Sequence, residues 1–169
     1  VDALMQLLAD FLESERGEMK QNGIRLGAIG DLERLPSFVR EKLAQVRAET
    51  ARNRDMSLTL ALSYGGRQEI AAAARRAAAA KGAALEVADI EAALQTAGLP
   101  ELDLLVRTSG ERRISNFLLW QSAYAELHFS DVLWPDFRDA ELFAAIADFQ
   151  ARERRFGLTG AQVATRSRE

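Results

Sequence analysis

The 169-residue sequence predicts an α/β fold, three-layer, with a mostly parallel central sheet and helices on both faces. Two observations carry that expectation. Short apolar runs at 24–29, 56–64, 102–106 and 127–129 have the length of buried strands rather than of helices. Between them lie segments with helical patterning, and strands alternating with helices build parallel sheets covered on both sides. At this length, with 48% hydrophobic residues, one domain over 1–169 with a core of its own is the default. No internal repeat or interdomain linker interrupts it.

Taken in order, residues 1–20 carry Leu4, Leu7, Leu8, Phe11 and Leu12 at the i, i+3, i+4 spacing of an amphipathic helix. Gln21-Asn22-Gly23 ends that helix, with Gly23 at C′. The first strand follows at 24–29, and Gly30-Asp31 makes the turn at its carboxyl end. Pro36 sits near N1 of the next helix, which runs to about Arg52 with Phe38, Val39, Leu43 and Val46 inward. The second strand ends at Gly65-Gly66, a tight turn or a place where bare backbone can approach a ligand. An alanine-rich helix spans 67–81 and stops at Gly82, and a shorter one spans 85–97. Gly98-Leu99-Pro100 turns into the third strand. The apolar segment 116–123 is helix-like, and 127–129 is a last short strand. The final helix covers 136–154, with Phe143, Ile146 and Phe149 on one face; beyond Phe156 the tail is polar.

Bulk properties exclude several function classes. A net charge of −3 argues against general nucleic-acid binding, because a polyanion demands a basic surface. No apolar run approaches the ~18 residues that span a bilayer. The absence of Cys removes disulfides and thiolate metal sites, and it suits a reducing cytoplasm. Lys occurs only at Lys20, Lys42 and Lys81, so the many arginines reflect composition first and phosphate recognition only locally.

The stretch that carries chemistry is 102–137, LDLLVRTSGERRISNFLLWQSAYAELHFSDVLWPDF. A strand breaks into the polar loop Arg107-Thr108-Ser109-Gly110-Glu111-Arg112-Arg113-Ile114-Ser115. Loops beyond the carboxyl ends of parallel strands are where open α/β sheets bind ligands. Guanidinium forks beside hydroxyls suit an anion with several oxygens, because they pair with phosphate bidentately. The competing reading is a solvated turn in which an arginine pairs with Glu111 or Asp103.

This wording resembles the carboxyl-terminal signature of the cis-prenyltransferase family, as found in bacterial undecaprenyl diphosphate synthases. The resemblance spans more than thirty consecutive residues and continues through Ile24-Arg25-Leu26, Gly30-Asp31, Tyr64-Gly65-Gly66-Arg67 and Arg152-Glu153-Arg154-Arg155-Phe156-Gly157. It implies cis-prenyl elongation, in which isopentenyl diphosphate condenses with an allylic, farnesyl-type diphosphate to give a polyprenyl diphosphate for cell-wall carrier lipid. It places Arg107, Arg113 and Ser115 on the diphosphate of isopentenyl diphosphate, and Glu126 on Mg²⁺. A tunnel for the growing tail is implied at Leu4, Leu7, Leu8, Phe11, Ile24, Met56, Leu58 and Leu60, with Met56 near its floor. Family members are homodimers, and Trp120, Tyr124, Phe129 and Trp134 give this region the aromatic surface of a subunit contact. A cytoplasmic location, peripheral to the inner membrane face, goes with a membrane-bound product.

Three positions depart from the family pattern: Ser109 replaces a glycine, Arg112 stands where many relatives have His, and Ser63 where Asn is frequent. The family's first loop, with its catalytic Asp, and the segment S-x-E-N-W-x-R do not occur. The chain thus reads as the carboxyl-terminal two-thirds of a longer protein, with no catalytic residue of its own and weak metal binding when alone. The sole histidine, His128, is taken as structural. An alternative is a non-catalytic partner subunit that activates another chain; a nucleic-acid site at Arg152, Arg154 and Arg155 is the remote third.

Overall fold

The computed structural model describes residues 2–82 and 84–152. Glu153-Arg154-Arg155-Phe156-Gly157 of the resemblance, the end of the expected final helix and the polar tail lie outside them. The chain divides into two compact units, Val1–Gly98 and Leu99–Glu169.

The first unit is built on α1 (Asp2–Ser14), α2 (Arg16–Gln21), β1 (Ile24–Gly30), α3 (Ser37–Thr50), β2 (Met56–Leu62), α4 (Gly66–Lys81) and α5 (Val87–Ala93). β1 pairs with β2 in parallel, in register from Ile24↔Met56 to Gly30↔Leu62, and α3 is the crossover between them. Val39, Leu43, Val46 and Thr50 are the buried face of α3; with Leu12, Met19, Leu26 and Leu35 its apolar members form the core. Thr50 is fully buried because its hydroxyl is satisfied twice. It donates to the Val46 carbonyl at 2.8 Å and accepts from the Leu26 amide at 3.1 Å, tying the end of α3 to β1. Asn53 does the same one turn later, donating to the carbonyls of Ile24 at 2.9 Å and Met19 at 3.0 Å. Gly30, at φ +111°, has no room for a Cβ, which would sit 1.9 Å from the Leu62 carbonyl oxygen.

The second unit holds β3 (Leu104–Arg107), β4 (Glu126–Phe129) and α6 (Asp139–Ala151). β3 and β4 are also parallel, from Leu104↔Glu126 to Arg107↔Phe129. Both strand pairs are parallel; α3 links the pair in the first unit, whereas β3 and β4 are joined by a loop with one 3-10 turn and α6 follows β4. Parallel strands with helices give the α/β class.

Four expected elements differ. The helix expected over 1–20 breaks at Glu15, where the Ser14 hydroxyl bonds back to the Phe11 carbonyl at 3.1 Å, a competitor that bends helices. The helix expected at 85–97 is shorter, because the Gln95 amide is given to Glu69 at 2.9 Å instead of to the helix ladder. The segment 116–123 is not an α-helix: positive φ at Ser115, Asn116 and Leu118 is incompatible with right-handed turns, and only a 3-10 turn forms at Gln121–Tyr124. The last helix starts at Asp139, after a 3-10 turn at Trp134–Asp136, and Phe143 is exposed while Ala145 is buried. Phe143 and Phe149 are six residues apart, about 1.7 turns, so they do not share a face.

Candidate active site

The carboxyl ends of β3 and β4 lie side by side, and the loops that leave them are stitched together by backbone. Ser130 donates to the Arg107 carbonyl at 2.8 Å, Ser109 to Val132 at 2.8 Å, and Gly110 to Ser130 at 3.0 Å. Holding this shape requires φ +69° at both Ser109 and Gly110. Glycine takes that conformation freely; serine does so at a cost of about 1–2 kcal/mol, so the loop keeps the backbone a glycine would give it.

At this edge opens a cavity of about 650 Å³. Arg107, Thr108, Ser109, Ile114 and Phe117 line one part of it; Trp134, Phe137, Arg138 and Leu142 line another. It combines two guanidinium groups, two hydroxyls and apolar walls with one carboxylate, Asp139, a composition that leaves a net positive lining for a ligand with an anionic head and a hydrocarbon body.

Of the three anion-binding candidates, only Arg107 lies in that lining. Arg113 is exposed and paired with Glu111, the ion pair that the competing sequence reading named. Ser115 is exposed as well, at φ +47°. Arg112 is exposed beside them.

Glu126 opens β4, half-buried, and its Oε2 accepts from Arg152 Nη1 at 2.9 Å. The same nitrogen donates to the Leu127 carbonyl at 3.0 Å, and Nη2 donates to Asp148 at 2.5 Å. His128 Nδ1 lies 2.9 Å from that Asp148 oxygen, so it carries the proton whenever the carboxylate is ionised. These bonds hold the Asp148 carboxyl below its ordinary range, His128 first and Arg152 second; Asp148 and then Glu126 raise Arg152. His128 thus has a structural partner. Sequence reasoning missed Asp148 and this use of Arg152; the i, i+4 spacing of the pair on the last helix was the available signal.

Mg²⁺ is a hard cation, often held by one or two carboxylates, with waters and phosphate oxygens completing its shell. Glu126 has the donor chemistry of one such ligand, with its Oε2 held by Arg152. Among the described residues no group of three or more His, Cys, Asp or Glu could hold a metal ion.

The tunnel candidates lie in the first unit. Leu4, Leu7 and Phe11 form an exposed apolar line on α1, while Leu8 packs on the core. Ile24, Met56, Leu58 and Leu60 share one face of the β1–β2 pair, Met56 exposed and the others packed on the core. Of the aromatics proposed for a subunit contact, Tyr124 and Trp134 are exposed; Trp120 and Phe129 are half-buried. No helix among the described residues is long and apolar enough to cross a membrane.

A family model described as "Putative undecaprenyl diphosphate synthase" matches residues 1–157. An isoprenyl transferase of Geobacter sulfurreducens is 50% identical, over 99% of this chain and 70% of its own length. A ditrans,polycis-undecaprenyl-diphosphate synthase, (2E,6E)-farnesyl-diphosphate specific, of Xanthomonas oryzae pv. oryzae is 45% identical over 100% of this chain and 68% of its own. The crystal structure of lavandulyl diphosphate synthase from Lavandula x intermedia, in complex with dimethylallyl diphosphate, superposes with a TM-score of 0.88 at 38% identity. That match covers 93% of this chain and 71% of the other. The chain thus spans about two thirds of the length of its curated relatives, whose names are those of transferases and synthases and do not favour a non-catalytic partner. It belongs to the undecaprenyl diphosphate synthase family of prenyltransferases, enzymes of cis-prenyl chain elongation.

Proposed function

We propose that the protein containing this chain condenses isopentenyl diphosphate with an allylic diphosphate of the farnesyl type, and that the chain supplies the grip on isopentenyl diphosphate. The product is an undecaprenyl or similar polyprenyl diphosphate, made in the cytoplasm at the inner membrane face. The observation that carries the reading is Arg107 at the carboxyl end of β3, lining a cavity with Thr108 and Ser109. A bond forms between C4 of isopentenyl diphosphate and C1 of the primer, whose diphosphate leaves, and the added unit loses a proton. Arg107, Arg113 and Ser115 hold the diphosphate of the incoming unit, so that its C4 faces C1 of the primer; such positioning supplies much of the rate.

Arg113 reaches this role by leaving Glu111. Its side chain is 68% exposed. An exposed pair is typically worth about 0.2–1 kcal/mol. A diphosphate carries more negative charge than one carboxylate and offers several oxygens for bidentate pairing, so the ligand outcompetes Glu111. Mg²⁺, held in part by Glu126, would stabilise the charge on the departing diphosphate. Leu4, Leu7 and Phe11 offer apolar surface for the growing tail.

Removing Arg107 deletes charged hydrogen bonds worth about 1.5–3 kcal/mol. Steady-state kinetics of Arg107→Ala therefore show kcat/KM for isopentenyl diphosphate lower by roughly 10- to 150-fold, with the KM of the allylic primer little changed. An equal rise in both KM values contradicts the assignment.

We also propose a homodimer, supported by the exposure of Tyr124 and Trp134, with Leu133 between them in sequence. Sedimentation velocity then gives a dimer, and Trp134→Ser with Tyr124→Ser shifts it toward monomer. A monomeric parent protein sinks this part.

A further inference from the structure

We propose that Asp148 is a positioning residue for Glu126: it retains the Arg152 guanidinium when the Glu126 carboxylate is given over to a divalent cation. This rests on the reading of Glu126 as a cation ligand. Glu126 and His128 are two apart on β4 and share a face; Asp148 and Arg152 are four apart at the end of α6 and share another. The four side chains form a chain, Glu126–Arg152–Asp148–His128. Arg152 uses different nitrogens for the two carboxylates, Nη1 for Glu126 and Nη2 for Asp148. It can therefore drop one without dropping the other.

A guanidinium does not deprotonate, so a cation arriving at Glu126 meets a fixed positive charge bonded to one of the two carboxylate oxygens. Arg152 is only about one-third exposed, with a side-chain accessibility of 32%, and losing its acceptors there is unfavourable. Asp148 is the acceptor already in place, at 2.5 Å, and the Leu127 carbonyl is a second at 3.0 Å. His128 bonds the same Asp148 oxygen at 2.9 Å and keeps it turned toward Arg152. Without Asp148, Glu126 is the one carboxylate left to Arg152 among the described residues, and the pair tightens against the incoming cation.

The test is equilibrium binding of Mn²⁺ to the whole protein, read by electron paramagnetic resonance of the free ion, with thermal unfolding recorded alongside. Asp148→Asn binds Mn²⁺ roughly two- to five-fold more weakly, and Asp148→Glu binds it as the parent does. Adding Arg152→Gln to Asp148→Asn restores the affinity, a rescue that a purely structural role for Asp148 would not give. Unchanged affinity in Asp148→Asn, or a double variant that stays weak, overturns the proposal. Glu126→Gln separates the two layers. If it leaves Mn²⁺ binding unchanged, the reading of Glu126 fails and this inference with it. If it weakens binding while Asp148→Asn does not, only the inference fails.

Discussion

Ser109 sits at φ +69° in the loop after β3, and Ser63 sits at φ +48° after β2. Both were visible in the sequence as departures, a serine for a glycine and a serine for an asparagine. The structure supplies the reason they matter, since glycine and asparagine are the residues that tolerate the left-handed region. Ser109→Gly relieves about 1–2 kcal/mol of backbone strain and gives back about 0.5–1 in chain entropy. The variant is therefore more stable by up to about 1.5 kcal/mol in urea unfolding; a lower midpoint contradicts the strain argument. The partners of Glu126 were not legible in the same way. Arg152 lies 26 residues further along the chain, and no local pattern pairs a strand carboxylate with the residue ending a later helix.

Elements follow the same division between local and non-local causes. Apolar runs announced β1 to β4 to within a few residues, because short apolar runs bounded by turn residues have the length of strands and not of helices. The segment 116–123 was misread, because its apolar content mimics a helix while Ser115, Asn116 and Leu118 adopt turns that periodicity does not encode. The joint between α3 and β1 was hidden too: Thr50 reads as an ordinary helix-end residue, yet it is fully buried between Val46 and Leu26. Thr50→Val keeps the shape and strands the Leu26 amide without its acceptor, at a cost of about 1–3 kcal/mol. Denaturant unfolding measures it. A loss near zero would mean that water or another group takes over the bond.

At the scale of the molecule, the alternation of strands and helices was enough to predict parallel pairing, and both pairs are parallel. The signature loop was legible as an anion-binding stretch from its arginines and hydroxyls. What it did not reveal is how unevenly they are disposed: Arg107 lines the cavity while Arg113 rests on Glu111. The sequence marks residue types, whereas the direction of a long exposed side chain is decided by weak ion pairs that a ligand can rearrange. Whether Arg107 and Arg113 act on one diphosphate is therefore settled by coupling between them. The measurement is a double-mutant cycle on isopentenyl diphosphate binding to the whole protein, using Arg107→Gln, Arg113→Gln and the pair, read by calorimetry. Two arginines on one ligand give an interaction energy of about 0.5–3 kcal/mol. Effects that add to within about 0.3–0.5 kcal/mol, or an Arg113 variant that binds like the parent, would contradict the account.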